Sequence, residues 1–230
     1  GAAVVTDYAA VLARADVDIV DICLPPKLHV PTTIQALEAG KHVVCEKPLA
    51  ACVAEVDDLM RIAQTTGRKV VPVYQYRFGN GLWKMRRLVD AGLAGRPLVA
   101  TVETHWNRLP DYYAVPWRGK KATELGGAVL GHAIHAHDLL TTVLGPVRRV
   151  SAKVAIRVNA IETEDCAAAV LEMESGALVT LSVTLGSAEE ITRLRFCFEH
   201  LTAESNLAPY RPGIEPWRFL PRGGRSQAEI

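Results

Sequence analysis

Three short apolar runs, spaced by stretches of helical period, constrain this chain more than any other feature. Asp18–Cys23 (DIVDIC), His42–Cys45 and Val70–Tyr74 have the length and β-branched content of buried strands. Leu24-Pro25-Pro26 stops the first, because proline cannot extend a sheet. Between the first two runs, Pro31–Ala39 fits a helix with proline in its first turn and Gly40 as its C-terminal cap. Between the second and third, Ala51–Thr66 places Val53, Val56, Leu59, Met60 and Ala63 on one side and Asp57, Asp58 and Arg61 on the other, and Gly67 ends it. Strand–helix–strand–helix–strand at this spacing predicts parallel crossovers and a doubly wound α/β sheet. A strand over Val4–Thr6 and a short helix over Tyr8–Ala13, capped by Asp7, are predicted ahead of it.

After Tyr76 the pattern changes. Residues 77–81 form a turn-rich connector, a basic helix follows over Leu82–Ala91, and Pro97–His105 alternates as a strand. From Trp106 to Leu125 there is no period, only Pro110, Pro116, Gly119 and a density of Trp and Tyr. Loops of that length are commonly functional, and the aromatics argue against disorder. Strands are predicted over Val147–Ile156, Ala167–Glu172, Leu178–Thr184 and Leu194–Glu199, with a hairpin turn at Glu174-Ser175-Gly176. That is an antiparallel meander, so the second half reads as an α+β domain. The tail from Pro209 carries no periodic signal.

Composition narrows the function classes. A formal net charge of +1 gives no general pull toward nucleic acid or an anionic membrane. No apolar run is long enough to span a bilayer. Cys23, Cys45, Cys52, Cys166 and Cys197 show neither C-x-x-C nor zinc spacing, which predicts reduced thiols in a cytoplasmic protein.

Two stretches carry candidate chemistry. In His42–Pro48 (HVVCEKP), Glu46 and Lys47 fall where Pro48 ends a strand, and the carboxyl ends of open parallel strands are where ligands bind. A solvated Glu-Lys pair is the plain alternative. In Gly126–Leu144, read as one helix, Val129, Leu130, Ala133, Ile134, Ala136, Leu140 and Leu144 gather on one face. His132, His135 and Asp138 share the opposite arc, where Ala128 and Gly131 leave room, and His137 points elsewhere. This arc suits a pocket wall, with His135 as a base and Asp138 orienting it. It also suits a polar face turned to water or to another subunit. A metal site is disfavoured, because the H-E-x-x-H spacing is missing.

Together these stretches resemble the Gfo/Idh/MocA family, named for glucose–fructose oxidoreductase and inositol dehydrogenase. The marks are Pro25, His29, the Glu-Ala-Gly-Lys-His run and Glu46-Lys47-Pro48, then Gln75-Tyr76-Arg77-Phe78, Tyr112-Tyr113, Trp117-Arg118-Gly119, and Gly126-Gly127 through Asp138. The resemblance implies a partial Rossmann-like, doubly wound domain over residues 1–76. It implies an α+β substrate and oligomerisation domain, mostly antiparallel, over 77–230. It further implies hydride transfer between NAD or NADP and a hydroxyl-bearing carbon of a sugar, cyclitol or related polyol. Lys47 and His135 would be catalytic, with Lys47 also touching the cofactor beside Leu24, Pro25, His29 and Glu46. The Lys47–Pro48 bond would be cis. Arg118, Trp106, Tyr113, His132 and Asp138, with Lys84, would meet the substrate, and a homo-oligomer would form through the C-terminal sheet.

The sequence departs from the family in two places. Gly131 stands where the family usually has Asp, four residues before the catalytic His, so the proton relay rests on His135 with help from His132 or Lys47. No G-x-G-x-x-G turn precedes residue 18, so about 60 to 70 residues of the usual architecture are expected upstream. The alternative reading is a truncated, inactive homologue that binds a ligand or a partner.

Overall fold

The computed structural model describes residues 3–230, which divide into two compact units. The first runs to Val73 and takes in Ala122–Leu125; the second comprises Tyr74–Lys121 and Gly126–Ile230.

The first unit is a three-stranded parallel sheet in the order β1-β2-β3, formed by Ile19–Ile22, His42–Cys45 and Val70–Pro72. Its register pairs Ile22 with Cys45 and Cys45 with Pro72, which aligns the carboxyl ends of the strands. Helix α1 (Tyr8–Leu12) opens the unit, and the Asp7 carboxylate accepts from the Ala9 amide as its N-cap. Helices α2 (His29–Glu38) and α3 (Val53–Thr66) follow the first two strands. Helix α2 packs on β1 and β2. Val20, Ile22, Ala36, Leu37, Val43 and Cys45 form the core, while Ile19 on β1 and Val71 on β3 stay exposed. Gly40, at φ +76°, supplies the left-handed turn after α2. The predicted strand over Val4–Thr6 does not form: Val4 is 92% exposed, and none of the described residues pairs with it.

The second unit holds helix α4 (Asn80–Asp90) and a seven-stranded sheet, β10-β9-β8-β4-β7-β6-β5. The strands are β4 (Pro97–Asn107), β5 (Val147–Ala155), β6 (Cys166–Met173), β7 (Leu178–Thr184), β8 (Gly186–Phe198), β9 (Leu201–Glu204) and β10 (Arg218–Pro221). All pairs are antiparallel except β4 with β7. Leu82, Met85, Val102, Leu139, Val179 and Phe196 anchor a core on one face of this sheet. The other face carries Thr101, Glu103, Thr180, Ser182, Arg193 and Arg195, all exposed or half-buried.

Four further expectations are corrected by the structure. The stretch Gly126–Leu144 is not one regular helix. A π-helical turn over Ala128–His132 precedes helix α6 (Ile134–Leu144), which changes the phase between the two parts. Strand β8 begins at Gly186, well before Leu194, because none of its first six residues is buried and it needs no apolar run there. The tail is not featureless: β10 adds to the sheet edge, and Trp217 and Phe219 are buried. The 106–125 stretch also gains local structure, a 3-10 turn over Pro110–Ala114 and a short helix α5 (Lys121–Glu124).

Candidate active site

In the first unit, the candidate residues lie where β1 and β2 run out. Glu46 and Lys47 directly follow β2, and the Lys47–Pro48 peptide is cis. The Lys47 amide donates to the Glu46 carboxylate at 3.2 Å, and the Glu46 amide to the Ile22 carbonyl at 2.9 Å, so the loop is tied to the end of β1. Leu24 and Pro25 follow β1, Leu24 with 43% of its surface exposed. His29 sits differently from its companions. It is 1% exposed, with Nδ1 2.7 Å from the Pro48 carbonyl and Nε2 2.7 Å from the Leu24 carbonyl. Both ring nitrogens thus face backbone carbonyls, and the side chain bridges the two strand-end loops.

Beneath them, burial pushes the Cys45 thiol up to about 11, which keeps it a neutral packing group. Leu24, Pro25, Glu46 and Lys47 offer an apolar rim, an acceptor and a cation at the carboxyl edge of a parallel sheet. That donor set fits the ribose and nicotinamide end of a dinucleotide.

The second unit buries the histidine cluster. His132, His135 and Asp138 are 6%, 4% and 8% exposed, so the reading in which they form a face toward water is overturned. His135 stacks on Tyr76 at 4.3 Å between centroids, and Tyr74 meets it edge-on at 6.2 Å. Asp138 is engaged by Arg77: Nε donates to Oδ2 at 2.6 Å and Nη2 donates to Oδ1. His132 Nε2 lies 3.2 Å from the Tyr112 hydroxyl, with Trp106 edge-on at 5.5 Å.

Arg118 donates to that same hydroxyl, and its guanidinium lies over the Tyr112 and Trp117 rings at 4.0 and 4.4 Å. Arg108 lies over Trp106 and Tyr112 at 5.0 and 5.1 Å. Trp106 itself is 5% exposed and donates Nε1–H to Thr192 at 3.0 Å, which is a packing role. Tyr113 packs edge-on against Tyr112. Lys84, grouped with these residues from sequence, lies over Phe219 at 4.7 Å.

Glu164 sets the start of the histidine segment. Its carboxylate accepts from the Gly127 and Val129 amides at 3.0 to 3.1 Å, and its carbonyl from the Ala128 amide at 2.7 Å. A Cβ on Gly127 would stand 1.9 Å from that carbonyl oxygen, so only glycine permits the approach. At Gly131 a Cβ would meet nothing within 4 Å, so the position where the family usually has Asp has open space beside it.

Sequence reasoning missed Tyr74, Tyr76, Arg77, Arg108, Tyr112 and Glu164 as site residues. The aromatic residues flanking Gln75 and Arg77 were the one visible signal, and Glu164 had none. Among the described residues, no group of three His, Cys, Asp or Glu side chains is arranged to hold a metal, and no helix is long and apolar enough to cross a membrane.

Comparison with known proteins gives two family matches. Residues 1–74 match an oxidoreductase family described as an NAD-binding Rossmann fold, and residues 82–204 match the GFO/IDH/MocA C-terminal domain. The dTDP-3,4-didehydro-2,6-dideoxy-alpha-D-glucose 3-reductase of Streptomyces violaceoruber is 34% identical over 194 residues, 84% of this chain and 55% of that protein. The D-glucoside 3-dehydrogenase of Escherichia coli (strain K12) is 31% identical over 63% of this chain and 40% of its own length. The chain thus spans about half the length of these curated relatives. Among solved structures, the WlbA dehydrogenase from Bordetella pertussis, in complex with NADH and UDP-GlcNAcA, is similar with a TM-score of 0.85 at 30% identity. It covers 93% of this chain and 67% of that one.

Proposed function

This chain belongs to the Gfo/Idh/MocA oxidoreductase family, and from that premise we propose that the whole protein is an NAD(P)-dependent sugar oxidoreductase. It moves a hydride between the nicotinamide and a hydroxyl-bearing carbon of a sugar, a sugar nucleotide or a related polyol. One observation carries the reading. Glu46-Lys47-Pro48 follows a middle strand at the carboxyl edge of a parallel sheet, inside the stretch matched by the NAD-binding family.

The cofactor, when bound, supplies the hydride acceptor; the rest falls to side chains of this chain. An alcohol carbon gives up hydride readily only as its oxygen loses the proton, so a base is needed, and His135 takes that part. Lys47 stabilises the negative charge that develops on the oxygen. Glu46 accepts from the nicotinamide ribose, while Leu24 and Pro25 form its apolar rim. On the substrate side, Arg118 and Tyr112 supply hydrogen bonds beside His132. Lys47→Ala in the whole protein is expected to cut kcat by about 10²- to 10⁴-fold with its circular dichroism unchanged. Turnover is followed as NADH absorbance across sugars and nucleotide sugars, and an unaltered kcat would sink the assignment. Absence of saturable NADH fluorescence binding by the whole protein would leave it a ligand- or partner-binding homologue.

We further propose a homo-oligomer through the open face of the seven-stranded sheet, in a cytoplasmic protein. Exposed Val99, Leu178 and Leu220 accompany Glu103, Glu204, Arg193 and Arg218 there, a mixed surface that a second copy can complement by symmetry. Light scattering of the whole protein that reports only a monomer at micromolar concentration rejects this surface.

A further inference from the structure

We infer that the substrate of the whole protein is a nucleoside diphosphate sugar, and that a hollow walled by Gln75, Phe78, Tyr210 and Arg211 takes its base and phosphate end. The inference deepens the oxidoreductase reading and rests on it.

Two segments build the hollow. One is the 3-10 turn over Gln75–Phe78, and the other is the loop between β9 and β10. Between them lie about 280 Å³, room for one ring system. The loop is held by its own contacts. Asn206 accepts from the Ala208 amide at 2.7 Å and donates to the Arg211 carbonyl at 2.9 Å. The Gly213 carbonyl accepts from the Leu82 amide at 2.9 Å, and a Cβ on Gly213 would overlap the Tyr76 carbonyl oxygen. The Tyr210 hydroxyl donates to Glu190 at 3.2 Å and accepts from Arg108 at 2.9 Å.

Phe78 and Tyr210 nonetheless keep 78% and 48% of their surface exposed. A ring fixed in place but open to water returns little to the fold, and it offers a flat apolar face at low entropic cost. Such faces stack on nucleobases of any identity. Gln75 adds an amide that both donates and accepts, as a base edge requires, and Arg211 adds a planar cation suited to phosphate. Among the described residues that line the hollow, none is acidic. A neutral second sugar would make no use of that cation.

The hollow adjoins the candidate site. Tyr76 lines it and also stacks on His135 at 4.3 Å. Tyr210 tilts against Trp106 at 4.8 Å, and Trp106 meets His132 edge-on. For a sugar reacting at His135, the hollow is one ring away from the group attached to that sugar.

The test is calorimetric titration of the whole protein with UDP, dTDP, inorganic diphosphate and cellobiose. NADH is present throughout, so that the dinucleotide site is filled. UDP and dTDP are expected to bind about 10-fold or more tightly than diphosphate, because the base adds its stacking. Phe78→Ala and Tyr210→Ala are each expected to weaken UDP by about 5- to 50-fold and diphosphate by less than about twofold. Arg211→Gln is expected to weaken UDP and diphosphate alike, by about 3- to 10-fold. Diphosphate binding as tight as UDP overturns the base site, and so does UDP affinity within about twofold of the parent in both aromatic variants. Cellobiose binding that depends on Tyr210 while UDP binding does not would make the ring a second sugar, and would overturn it too. No saturable UDP binding overturns it outright. Phe78 stands clear of the core, so its substitution decides even if Tyr210→Ala fails to fold. Failure of the oxidoreductase reading shows separately, as no saturable NADH fluorescence in protein that still binds UDP.

Discussion

The two units hold their candidate site residues with very different amounts of packing. The first has three strands, and Ile19 and Val71 remain more than half exposed. The second closes a much larger core, in which Leu139, Leu194 and Phe196 are fully buried. Site residues follow the same division. Lys47 and Glu46 stand on a loop braced by one buried histidine, whereas His132, His135 and Asp138 sit inside the packed body. A cation at a strand end needs access more than burial, while an imidazole working as a base gains from a fixed ring and controlled neighbours.

Truncating each core should break or sharpen this contrast most strongly. Phe196→Ala is expected to cost about 3–5 kcal/mol, and Leu37→Ala about 2–5 kcal/mol. Hydrogen exchange by mass spectrometry then reads where the loss falls. Phe196→Ala should speed exchange in β4 and β8, and Leu37→Ala in α2 and β2. Faster exchange everywhere with either substitution would mean that the two units open as one cooperative body.

A smaller effect comes from His137, on the side of α6 that lines a cavity with Val150 and Val154 of β5. Its Nε2 is buried without a hydrogen-bond partner, and burial lowers its pKa from 6.5 to about 4. The unfolded chain therefore binds a proton that the folded chain refuses between those values. The stabilising contribution is complete above about pH 6.5 and is lost as pH falls toward 4, up to about 3 kcal/mol. Urea unfolding at pH 5 and pH 7.5 measures it, and His137→Leu should flatten the difference. A pH dependence unchanged by that substitution would remove His137 as its source.

The parallel half was legible because period, proline stops and glycine caps agreed, and the matching of β1, β2 and β3 follows directly. Lys47 was legible for the same reason: a proline after a strand marks the strand's end. The histidine segment was only half legible. A helical wheel assumes 100° per residue throughout, and the π-helical turn at 128–132 breaks that assumption. Burial of His132, His135 and Asp138 depends on Tyr76, Arg77, Trp106 and Tyr112, which are distant in sequence and have no periodic link to α6. Strand β10, four residues that end in Pro221 and follow Pro216 closely, was hidden because proline usually argues against a strand.

The placement of β4 bears on how the second unit is made. It is the first strand of its sheet to leave the ribosome, yet it lies between β7 and β8, and its pairing with β7 is parallel. While β5 and β6 emerge they can close a hairpin of their own, but β4 has no neighbour until β7 and β8 are synthesised. A chain paused at that point would carry an exposed centre strand, alternately apolar and polar, in search of partners. The second unit therefore completes its sheet only through a late, long-range pairing step.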